Sequence, residues 1–110
     1  MVNYYTRVAA AMGGLANVQA FYKLYLVPGM GHFPANGTVN PSVNPPIPGE
    51  PLKYQMLTDW VEKGIEPGRV DVSSAASGPS AAKGMAMCVY PLAPTYEGGD
   101  LFSAGSYSCR

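Results

Sequence analysis

The stretch Phe21-Tyr-Lys-Leu-Tyr-Leu-Val27 constrains this chain more than any other. It is almost continuously apolar, it is rich in aromatics, and Pro28-Gly29 ends it. Such a run predicts a β-strand buried on both faces, as in a parallel sheet. One buried strand cannot make a sheet, and the chain holds no neighbours for it. The 110 residues therefore read as one segment of a larger α/β protein, incomplete as a stand-alone domain.

The elements around the strand follow from local signals. Asn3 can cap a short helix over residues 4–12, in which Tyr4, Tyr5, Val8, Ala9 and Met12 form one apolar face. Gly13-Gly14 stops it. Six prolines fall between Pro34 and Pro51, with Asn, Gly and Ser among them, so residues 34–51 read as a surface loop. Pro51 suits the first turn of a second helix that runs to about Lys63 and stops at Gly64. Leu52, Met56, Leu57, Trp60 and Val61 are its expected buried stripe, with Trp60 read as core. The Ser/Ala/Gly stretch 71–83 reads as linker, and residues 85–110 as an irregular tail.

Composition narrows the function. Seven basic residues balance seven acidic ones, and charged residues are only 13% of the chain. That is about half the usual share, and no basic run is present, so nucleic-acid binding is not expected. No apolar run approaches the roughly 20 residues that span a bilayer. Cys88 and Cys109 enclose a Pro-, Gly- and Ser-rich segment. They are either free thiols or a staple for a stretch with little core of its own. Asn36-Gly-Thr38 is a glycosylation sequon. Sequon and cysteine pair together point to a secreted, extracellular or periplasmic setting.

His32 is the single histidine, in Pro28-Gly29-Met30-Gly31-His32. Functional groups in open α/β sheets gather just beyond the carboxyl ends of strands, and flanking glycines let the backbone turn there. The alternative is a surface histidine in a loop. One histidine and two cysteines do not make a metal site, so no metal or cofactor is expected. No Gly-x-Ser-x-Gly elbow occurs.

The run Phe21 to His32 resembles the segment that carries the catalytic histidine in tannases and feruloyl esterases. Tyr4-Tyr5-Thr-Arg-Val8 with Gly13-Gly14, then Leu57-Thr-Asp-Trp-Val-Glu-Lys-Gly64 with Pro67, agree in order and spacing. So do Met87-Cys-Val-Tyr-Pro91, Tyr96-Glu-Gly-Gly-Asp100 and Tyr107-Ser-Cys109 in the tail. The resemblance implies the C-terminal part of an α/β-hydrolase fold, with His32 as general base of a Ser–His–Asp triad acting on feruloyl or galloyl esters. It also implies a Cys88–Cys109 pair, and a nucleophile serine and triad aspartate supplied from upstream of these residues or from a partner chain. It departs at Phe33, where members of the family usually carry a cysteine that bonds beside the serine. The competing expectation is a non-catalytic secreted module derived from the same family and kept for binding or assembly. On either reading, the 110 residues alone are expected to be inactive.

Overall fold

A computed structural model describes residues 1–32, 39–40, 42, 44–76 and 81–110. The Asn36 sequon, Phe33 and part of the proline-rich loop lie outside the described residues. Helix α1 covers Val2–Ala11 and α2 covers Leu15–Gln19. Helix α1 begins two residues earlier than its sequence suggests, because Met1 O accepts from both Tyr4 N and Tyr5 N at 3.1 Å. Asn3 is thus inside the helix and is not its cap. Gly13 (φ 82°) and Gly14 (φ 129°) then take left-handed conformations that only glycine adopts without strain. The chain turns back into α2, a helix the composition did not signal.

Tyr5 lies at the centre of the first core, fully buried with Ala9, Val18 and Leu24. Its ring meets Tyr22 and Tyr90 edge-to-face at 5.1 and 5.9 Å. Its hydroxyl donates to Tyr22 O at 3.0 Å. Burial pushes that hydroxyl above the ordinary tyrosine pKa, so it remains a donor.

The stretch 21–27 is not a strand of a sheet. It contributes one antiparallel bridge, Tyr25 to Val89, and Tyr90 N donates to Leu24 O at 2.8 Å. Leu24 is buried, but Phe21 and Leu26 are exposed. The run is apolar enough for two-sided burial, yet among the described residues it has no ladder to join. Gly29 (φ 72°) ends it.

Helix α3 spans Glu50–Lys63, with Pro51 in its first turn and Gly64 (φ 69°) as its left-handed stop. Asp59 accepts from Lys63 Nζ at 2.6 Å and from Gln55 at 2.7 Å. These bonds hold its carboxyl below the ordinary aspartate pKa. The expected buried stripe is not buried: no residue of α3 is fully covered, and Leu57 and Val61 are 57% and 74% exposed. The neighbours that such a stripe needs are not among the described residues.

The stretch read as linker is instead half of a hairpin. Strand β1 (Val70–Ser74) pairs antiparallel with β2 (Lys83–Met87), setting Val70 against Met87 and Val72 against Met85. Val72, Ala86 and Met87 are buried. The tail is likewise more regular than expected. Strand β3 (Pro94–Tyr96) pairs with β4 (Tyr107–Cys109), which follows a single 3-10 turn at Ala104–Ser106. A Cys88–Cys109 disulfide ties β4 to the end of β2, with Cα atoms 5.6 Å apart. Arg69 locks the two hairpins together, donating to Asp71, to Tyr107 O and to Ala104 O at 2.6–2.8 Å.

The Cα radius of gyration is 15.2 Å, against about 13 Å for an average compact domain of this length. Replacing Cys88 and Cys109 together by Ser in the full-length protein should cost this segment about 3 kcal/mol, because the bond closes a loop across 21 residues. Hydrogen exchange across residues 88–110, compared with the parent protein, measures the loss. Unchanged protection would contradict the stapling role.

Candidate active site

His32 sits in a bend five residues beyond Val27, the last apolar residue of the extended segment, after the Pro28-Gly29 turn. Met30 N donates to Val27 O at 3.3 Å and closes that turn. The imidazole is exposed, at the end of the segment and not within a helix.

Two clefts meet at His32 and share Met30 and Gly31 as lining. One, of about 430 Å³, is also lined by Ile47, Pro48, Glu50 and Lys53. The other, of about 680 Å³, is lined by Tyr25, Leu26, Val27 and Pro28. Glu50 is the one carboxylate among these lining residues, and Lys53 Nζ engages it at 2.5 Å. That ion pair lies in the first turn of α3.

The approach to His32 is held from behind by polar contacts. Tyr25 donates its hydroxyl to Gly68 O at 2.7 Å. Lys23 pairs with Glu66 at 2.5 Å, and its ammonium lies 5.6 Å from the centre of the Trp60 ring. These contacts join the extended segment to the exit of α3. Trp60, expected as core, is half-buried and serves this junction. Burial, and after it the Glu66 carboxylate, push the Tyr25 hydroxyl above its ordinary pKa.

The site residues read from the sequence do not converge. Cys88 and Cys109 form the tail disulfide, while His32 lies among the loop residues. No group of three or more His, Cys, Asp or Glu that could hold a metal occurs among the described residues. No described helix is long and apolar enough to cross a membrane. The sequence reading passed over Lys83. The residue is only 7% exposed, and its ammonium donates to Ser42 O at 2.5 Å and Asn44 O at 2.8 Å. The available signal was a single charge in the run Ala81-Ala82-Lys83-Gly84-Met85-Ala86-Met87.

Comparisons with known proteins agree over nearly the whole chain. The family described as tannase and feruloyl esterase matches residues 1–110. A probable feruloyl esterase of Arthroderma benhamiae is 37% identical over 109 residues, which cover 98% of this chain and 19% of that protein. A tannase of Aspergillus oryzae is 29% identical over 108 residues, 92% of this chain and 17% of that protein. The crystal structure of feruloyl esterase B from Aspergillus oryzae superposes with a TM-score of 0.71 at 24% identity, over 97% of this chain and 22% of that one. That likeness establishes the fold: part of an α/β-hydrolase architecture. The chain thus spans about a fifth of the length of the relatives it matches.

Tyr25 yields a pH test. Its pKa is higher folded than unfolded, so its contribution is complete below about pH 10 and is lost as the pH rises through the folded value. Tyr25→Phe in the full-length protein should cost about 1 kcal/mol at neutral pH. It should also flatten the alkaline fall in stability, read from urea midpoints at about pH 8 and about pH 11. A variant whose alkaline fall matches the parent's would refute the role of this hydroxyl.

Proposed function

The chain belongs to the tannase and feruloyl esterase family, and on that premise we propose that the whole protein is a serine esterase in which His32 is the general base. The serine and the aspartate of the triad come from the rest of the α/β-hydrolase fold. The substrates are esters of phenolic acids, of feruloyl or galloyl type.

The observation that carries this reading is the position of His32. It is an exposed imidazole on a glycine-flanked turn, at the end of the extended segment, where two clefts meet, in a chain whose residues 1–110 match the family. Geometry of that kind suits proton transfer. The serine oxygen attacks the ester carbonyl carbon and its proton passes to the imidazole. As the tetrahedral intermediate collapses, the C–O bond to the alcohol breaks and the imidazolium returns the proton to the leaving oxygen. Water repeats the cycle on the acyl-enzyme and releases the phenolic acid. An imidazole serves because its pKa lies near working pH. The disulfide supports an oxidising compartment, outside the cell or in a periplasm.

The 110 residues alone should not turn over ester, since a base accelerates attack only when nucleophile and oxyanion donors surround the same carbonyl. In the full-length protein, His32→Ala should lower kcat for a feruloyl or galloyl ester by about 10³-fold or more, with the fold intact by circular dichroism. Turnover indifferent to His32 would remove its catalytic role. Robust turnover by the purified 110-residue chain would show that the nucleophile lies within it.

A further inference from the structure

We infer that Lys83 is a positioning residue for the substrate cleft, because it anchors the stretch of main chain that lines the cleft together with His32. The inference rests on His32 marking the active site. Lys83 opens β2, far along the chain from His32, and its ammonium reaches the carbonyl oxygens of Ser42 and Asn44. The Phe102 ring covers it, with the nitrogen 5.9 Å from the ring centre. A buried ammonium is costly unless its donors are satisfied, and here two of them are spent on one stretch of main chain.

Its own place is fixed from the other side. Gly84 N donates to Phe102 O at 2.6 Å, and a Cβ at Gly84 would come within 3.0 Å of Ala104 N. The strand therefore packs directly against the tail backbone, and Lys83 cannot drift away from the loop.

The anchor is transmitted by proline. After Asn44 the chain runs Pro45-Pro46-Ile47-Pro48. Each proline fixes its φ near −65°, and each residue before a proline is confined to extended conformations. Asn44, Pro45 and Ile47 all precede a proline, so little freedom is left between the anchored carbonyl and the wall. Pro46 and Pro48 are also buried. Ile47 and Pro48 then line the same cleft as Met30, Gly31 and His32. A substrate held in that cleft would meet a wall whose distance from the imidazole is set by a lysine outside it.

The test uses the full-length protein. Lys83→Met keeps the apolar stem and removes the donors. It should raise KM for an aryl ester about tenfold while kcat and its pH profile change less than about twofold, since a wall contacts the substrate and not the transferred proton. Hydrogen exchange in residues 44–49 should rise in the same variant. Lys83→Arg retains donors and should recover most of the KM. Ile47→Ala alters the wall without touching the anchor and should reproduce the KM effect. It decides the matter if Lys83→Met does not fold. An unchanged KM in Ile47→Ala, or unchanged exchange and KM in a folded Lys83→Met, would overturn the inference. His32→Ala run alongside separates the two readings. If that variant stays active while exchange in 44–49 rises in Lys83→Met, the anchor stands and the placement of the active site falls.

Discussion

The main-chain bond from Tyr90 to Leu24 is the contact on which the rest of this segment depends. Buried backbone groups must find partners, and the extended stretch 21–27 finds one here. Tyr90 does three things at once. Its N–H donates to Leu24 O, its carbonyl accepts from Gln19 Nε2 at 2.6 Å, and its ring closes over Tyr5. Helix α1, helix α2, the segment leading to His32 and the tail are thus joined at one residue. Cys88 lies two positions before it, so the disulfide constrains the same junction.

What the segment fails to bury is as informative as what it buries. The only fully covered large side chains among the described residues are Tyr5 and Val18, while α3 presents Tyr54, Leu57 and Val61 outward. Each such side chain would contribute about 1.5–3 kcal/mol if covered. Exposed apolar area of this kind, with a radius of gyration above that of a compact domain, fits a chain that covers 22% of the structure it superposes on. In an α/β-hydrolase architecture such a helix is a covering layer, and its apolar face is written for a sheet.

That division explains which features were legible in the sequence. Helix α3 was readable to its ends, because Pro51 and Gly64 act through their own backbone conformations and need no tertiary partner. The turn after Val27 was readable for the same reason. The stretch 21–27 reads as a strand but shows only one bridge among the described residues, because apolarity reports the environment of a whole protein, whereas a ladder is a property of the neighbours present. The buried stripe of α3 failed on the same ground. The pairing of β1 with β2 was missed for another reason: the sequence between the strands is Ser, Ala, Gly and Pro, and these hid the alternation of Val70 and Val72 opposite Met85 and Met87. With the hairpin went Lys83, whose partners are main-chain carbonyls about 40 residues away that no motif could reveal. His32 stood out because of the glycines before it.

The two ends of the histidine loop are held by the same stretch of chain. Before the loop, Tyr25 pairs with Val89 and Leu24 accepts from Tyr90. After it, Ser42 and Asn44 accept from Lys83. Lys83 and Val89 are six residues apart, about 20 Å of extended backbone, and Cys88 with its disulfide sits between them. Strand β2 and the residues just beyond it therefore act as a rail to which both the approach to His32 and the departure from it are fixed. A loop closed on a rail loses fewer conformations when a substrate arrives, because its ends are already positioned. The described residues that border the clefts are in this way tied, directly or through Asn44, to a strand that the disulfide keeps in place.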